Sequence, residues 1–105
     1  MIYLLNSPIL TAYGEWRFEG PLALARAKSL IADGYTSAIG HEASAAFMSS
    51  LLGANIVANR IAIELQPGDA ALVLRTKARL PEGKVFTAEE MSEIPFELGW
   101  LMRTR

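Results

Sequence analysis

At 105 residues the chain is long enough to bury one core and too short to divide into two domains. Hydrophobic residues make up 51% and charged residues 20%, enough apolar matter to offset the entropy of ordering, which excludes a disordered chain. With 10 basic against 11 acidic residues the formal charge is -1, which leaves no basic surface for a long run of nucleic-acid phosphates, and 0 cysteines exclude disulfides, thiolate nucleophiles and zinc-thiolate sites.

Ile2 to Leu5 is a short apolar run closed by Asn6-Ser7-Pro8, which predicts a buried strand entering a polar turn, with Asn6 at the strand end. The run lacks a basic leader before it, and no later stretch approaches the roughly 18 apolar residues of a spanning helix, so neither a signal peptide nor a membrane anchor is expected. Glu15 to Phe18 alternates polar and apolar between Gly14 and Gly20, the pattern of a half-buried strand at an edge. Pro21 to Asp33 carries Leu24, Ala27, Leu30 and Ile31 at helical spacing, with Pro21 in the first turn and Gly34 as the C-terminal cap. Tyr35 to Ile39 is β-prone, and Gly40-His41 then opens a second helix running to about Leu52, capped by Gly53. Arg60 to Leu65 and Ala70 to Lys77 are strand-like, and the Gln66-Pro67-Gly68-Asp69 turn between them predicts an antiparallel hairpin. Thr87-Ala88-Glu89-Glu90 has the form of a capping box before a helical turn ending at Pro95, after which Phe96, Leu98, Trp100 and Met102 alternate as a last strand. The expected fold is α/β: one mixed sheet of about five or six strands flanked by helices, in a single domain spanning residues 1–105.

The chain has a single histidine, His41, at the mouth of the second helix and directly after a predicted strand. At about 100° per residue His41 shares a face with Ser44, Met48 and Leu52, so it begins the core-facing stripe. The carboxyl end of a strand is where open α/β sheets bind ligands, and the helix mouth offers free N–H groups and the positive end of a dipole to a phosphate. An RNA phosphodiester contains its own nucleophile, the neighbouring 2′-hydroxyl, so it can be cleaved without a metal if a protein aligns the attack and manages protons; His41 could donate the leaving-group proton. The plainer alternative is a histidine that only caps or packs at a helix start.

A second cluster lies in the Pro- and Gly-punctuated segment Arg79-Leu80-Pro81-Glu82-Gly83-Lys84, where Arg79 could clamp a phosphate, Lys84 add a point charge, and Glu82 orient Arg79 or the attacking hydroxyl. Alone, such a segment reads as a solvated turn. It is not a P-loop, because Val85 follows Gly83-Lys84 and Ala78 stands where the first glycine belongs. His41-Glu42 lacks a second histidine, so no metal is expected, and Ser44 lacks the Gly-x-Ser-x-Gly elbow of acyl transfer. The stretch Glu42 to Leu52 contains no Lys or Arg, so DNA is not an expected partner.

Taken together in order and spacing, Tyr3-Leu4-Leu5-Asn6-Ser7, Ser37-Ala38-Ile39-Gly40-His41-Glu42, Asn59-Arg60 and Arg79-Leu80-Pro81-Glu82-Gly83-Lys84 resemble the viral anti-CRISPR ring nuclease family. The resemblance implies metal-independent cleavage, with no cofactor, of cyclic tetra-adenylate, the messenger by which type III CRISPR systems activate defence nucleases. The products implied are linear di-adenylates that first end in 2′,3′-cyclic phosphates. It also implies that His41 is the general acid, that Arg79 and Glu82 support catalysis, and that Asn6, Ser7, Gly40, Asn59, Arg60 and Lys84 belong to the ligand pocket. A homodimer is implied as well, since a ring of four identical nucleotides has a two-fold axis that a C2 dimer can match. The expected compartment is the cytoplasm, of the host cell if the source is viral. The alternatives are a non-catalytic binder that sequesters cyclic oligoadenylate or another small anion, and an interaction protein in which His41 is structural.

Overall fold

The computed structural model describes residues 1–76, 89 and 93–105. Along the chain run β1 (Ile2–Leu5), β2 (Trp16–Glu19), α1 (Leu24–Leu30), β3 (Thr36–Ser37), α2 (Glu42–Leu52), β4 (Ala70–Thr76) and β5 (Phe96–Arg103). The strands form one five-stranded mixed sheet in the order β2-β5-β4-β1-β3. β1 pairs in parallel with β3 on one side and β4 on the other, while β5 runs antiparallel to both β4 and β2. The carboxyl ends of β1, β3 and β4 therefore lie together at one end of the sheet.

Side chains alternate between the two faces of the sheet. Leu4, Leu72, Leu74 and Leu98 point to one face and pack with Ala27 of α1 and Ile31 just after it, and with Ala43, Phe47, Met48, Leu51 and Leu52 of α2. Leu5, Ala71, Val73 and Leu101 point to the other face and meet Leu65, Ile63 and Trp16. α1 and α2 thus cover one face, and residues 55–66, which form neither helix nor strand, contribute a strap across the other. β4 sits between β1 and β5 with both faces covered, which is why it reads Ala-Ala-Leu-Val-Leu, a continuous apolar run with no polar alternation.

Several expected boundaries shift for physical reasons. The helix expected from Pro21 starts at Leu24, because Leu22 donates its N–H to Leu98 O at 2.7 Å and Ala23 is extended at φ -66° and ψ 146°, so residues 21–23 are tied along β5 first. It ends at Leu30, and Gly34 closes a following turn with its N–H on Ile31 O at 3.1 Å instead of capping the helix directly. The second helix matches its expected bounds: His41 is the N-cap and Gly53, at φ 65°, is the left-handed C-cap that an L side chain would strain. β3 keeps only Thr36–Ser37 of the expected Tyr35 to Ile39 stretch, since Ile39 O turns away to accept the Asn59 N–H at 2.7 Å.

The hairpin between Arg60 to Leu65 and β4 does not form. The Pro67-Gly68 turn is present, closed by Asp69 N–H on Gln66 O at 2.9 Å, but both edges of β4 are occupied by β1 and β5. The strap therefore leaves the sheet plane: Leu65 donates its N–H to Thr11 Oγ1 at 2.9 Å, and its carbonyl accepts from Arg103 Nη1 at 2.6 Å. Arg103 also donates to Tyr13 O at 3.0 Å and lies 5.9 Å over the Trp16 ring, fastening this end of the strap to the β1–β2 connection. Of the expected capping box, Glu89 is described and is helical, as is Glu93, while Thr87, Ala88 and Glu90 lie outside the described residues, as does Lys77 at the expected end of β4.

Among the described residues Phe47 is the largest fully buried side chain, at 0% exposure, and it meets the Phe96 ring edge-on at 5.4 Å between centroids. Phe47→Ala is expected to lower the unfolding free energy by about 3–5 kcal/mol, because it removes a core ring that its neighbours cannot replace. Urea unfolding followed by circular dichroism will show this as a lower midpoint with an unchanged slope.

Candidate functional site

The site grows from the short edge strand β3. After Ser37 the chain continues through Ala38, whose N–H still donates to Leu4 O at 3.0 Å, and then leaves the sheet at Gly40. His41 is extended, at φ -130° and ψ 124°, and its carbonyl accepts the first helical bond from Ala45 N–H at 3.1 Å. His41 occupies the N-cap position with no side-chain capping hydrogen bond to the helix. The N–H groups of the first turn of an α-helix have no carbonyl partner within the helix, and together with the dipole they favour an anion at its mouth.

Arg60 comes from the strap to meet this turn. Its Nε and Nη2 donate to Gly40 O at 3.3 and 3.2 Å, a fork that holds the guanidinium beside His41. Gly40, His41, Glu42 and Arg60 line an open cleft of about 210 Å³. His41 is half-buried while Glu42 and Arg60 are exposed, so the imidazole sits in the wall of the cleft and the charges at its rim. The cleft combines a cation, a helix mouth and an acid–base group, the means to hold a phosphate ester and to pass a proton to it.

The parallel pairing puts other expected residues at the same end of the sheet. With Leu4 opposite Ser37, β1 and β3 leave the sheet side by side, so Asn6 (half-buried) and Ser7 (exposed) follow one strand as Gly40 and His41 follow its neighbour. Asn59 is placed differently from Arg60: its amide nitrogen Nδ2 donates to Ser37 O at 2.8 Å, against the protein backbone. β4 ends at Thr76 on this same end of the sheet, and Arg79, Glu82 and Lys84, which follow it in the chain, lie outside the described residues.

Two serines do structural work that sequence reasoning did not single out. Ser37, buried at 8% exposure, donates its hydroxyl to Val57 O at 2.7 Å. Ser49 Oγ lies 2.8 Å from Ala45 O and 3.0 Å from Ile56 O and accepts the Ile56 N–H at 2.9 Å, tying the strap back onto α2. The only signal in the sequence was a hydroxyl inside an otherwise apolar stretch, which names no partner. Among the described residues no group of three or more His, Cys, Asp or Glu side chains is placed to hold a metal ion, and no helix is long and apolar enough to cross a membrane.

A family model described as STIV B116-like matches residues 2–98. The uncharacterised protein 26 of Sulfolobus islandicus filamentous virus is 37% identical, covering 96% of this chain and 89% of that protein. The uncharacterised protein ORF117 of Acidianus two-tailed virus is 35% identical, covering 100% and 95%. Among solved structures, B116 of Sulfolobus turreted icosahedral virus superposes with a TM-score of 0.81 at 21% identity, over 97% of this chain and 98% of that one, a likeness of fold.

Among the described residues the hydrogen bonds of Arg60 are two exposed ones to Gly40 O, so Arg60→Ala is expected to cost on the order of 1 kcal/mol or less in stability. Differential scanning calorimetry reads that small change, and a loss several times larger would show that Arg60 holds the fold and not the cleft.

Proposed function

The chain belongs to the STIV B116-like family, whose relatives named above come from viruses of archaea, and on that premise we propose that it is a metal-independent ring nuclease acting on cyclic tetra-adenylate. The observation that carries the reading is the convergence of His41, the mouth of α2 and the Arg60 guanidinium on one cleft beyond the carboxyl end of the parallel strand β3. The four-segment resemblance to viral anti-CRISPR ring nucleases supports it independently of that geometry.

In this reading a bridging phosphate lies at the mouth of α2. The 2′-hydroxyl attacks the phosphorus and loses its proton to solvent, forming the 2′-O–P bond of a 2′,3′-cyclic phosphate. The P–O5′ bond breaks, and protonated His41 delivers a proton to the departing O5′. Arg60 and Gly40 hold the ligand together with Asn6 and Ser7, which are carried from the resemblance, as are Arg79, Glu82 and Lys84, which complete the charge stabilisation. A C2 homodimer would place equivalent clefts on opposite sides of the ring, so that two cuts release linear di-adenylates. Removing the messenger in the cytoplasm of a host cell would antagonise type III CRISPR immunity.

Incubation of labelled cyclic tetra-adenylate with the protein in EDTA, resolved by chromatography, is expected to yield di-adenylate with a cyclic phosphate end. His41→Ala should slow turnover by roughly 100- to 10,000-fold, the usual range for losing a positioned proton donor. Tight binding without product would identify a non-catalytic sequestering protein, and a His41→Ala protein as active as the parent would remove His41 from the chemistry.

A further inference from the structure

Several hydrogen bonds join the strap to the β3 exit, and two of them come from Asn59. Asn59 donates its N–H to Ile39 O at 2.7 Å and its side-chain Nδ2 to Ser37 O at 2.8 Å, so it grips two carbonyls of the segment that leads to His41. Its own carbonyl accepts the Ile61 N–H at 3.0 Å, an i to i+2 bond that puts Arg60 at the apex of a tight turn. From the opposite side Ser37 returns a bond to the strap through its hydroxyl on Val57 O, at 2.7 Å. One residue further along each segment, Arg60 closes on Gly40 O.

We propose that Asn59 is a positioning residue that sets the relative placement of His41 and Arg60 through the backbone of Ser37–Ile39, and not a contact for the ligand. A primary amide suits this role because it can donate to a carbonyl that a half-formed edge strand leaves without a ladder partner, and an unmet carbonyl there would let the exit turn relax. Asn59 is half-buried, between the buried Ser37 and the exposed Arg60, so its amide serves the boundary between core and cleft. The cleft then inherits its geometry from a tie with no part in the chemistry. This inference rests on the nuclease reading only where turnover is the readout.

His41 is the only histidine of the chain, so its imidazole Cε1–H gives a single NMR resonance that reports on this turn alone. Asn59→Asp keeps the size of the side chain but removes the donor and sets a carboxylate against Ser37 O. Ser37→Ala leaves the two Asn59 bonds in place and cuts the Ser37 hydroxyl bond to Val57 O, the other tie between the same two segments. Both are expected to displace the His41 resonance and to lower kcat/KM on cyclic tetra-adenylate by roughly 10- to 100-fold, the scale of a displacement near 1 Å. Ser37→Thr, which retains the hydroxyl, should restore both readouts, and Asn55→Asp, on an exposed part of the same strap, should change neither. Variants that melt lower while the His41 resonance and the turnover of the folded protein stay at parental values would overturn the proposal. If the parent protein leaves cyclic tetra-adenylate intact, the nuclease reading fails while the His41 resonance still decides whether Asn59 positions the turn.

Discussion

The parallel pairing of β1 with both β3 and β4 is the constraint from which the rest of the molecule follows. Parallel neighbours share a direction, so three chain exits arrive at one end of the sheet, and each connection must return across a face to begin the next strand. The return between β1 and β3 passes through β2 and α1, and the return between β3 and β4 passes through α2 and the strap. One face is sealed by α1 and α2 and the other by a stretch with no regular structure, and the exits that remain at the open end form the candidate site.

The strap is the less familiar part of this arrangement. A segment without ladder hydrogen bonds must satisfy its buried polar groups in other ways. Here the partners are the Thr11 and Ser49 hydroxyls, the Ser37 hydroxyl and the Arg103 guanidinium. The apolar contribution is small and specific, with Leu65 and Ile63 on one sheet face and Ile56 in the helical core. Because one end is fastened near Arg103 and the other near Gly40, the strap holds Arg60 at the cleft with little freedom to drift.

Local signals reported most of the helices and strands, and failed where pairing partners decide. The helix from His41 to Gly53 was legible in its apolar stripe and in a glycine whose backbone reaches φ 65°. The strands at Ile2, Trp16, Ala70 and Phe96 were legible from apolar runs or alternation. The Pro67-Gly68 turn was read as a turn, yet it was credited with a partner strand that β4 had no free edge to accept. The same limit applies at the site: His41 was marked by its place between strand and helix, whereas the carbonyl that Arg60 binds could not be read from Asn59-Arg60 alone.

The amino-acid sequence by itself determined both helices and four of the five strands to within a few residues, the Pro67-Gly68 turn, and that a lone imidazole opens α2, since these depend on near neighbours. Tertiary structure alone decided that residues 60–65 cross a face and do not join the sheet, that Asn59 and Ser37 clasp the β3 exit, and that Arg60 stands beside His41. The reason is competition for hydrogen-bonding edges. Which strand occupies the edges of β4 is settled by pairings across the whole chain, and no local pattern records the outcome.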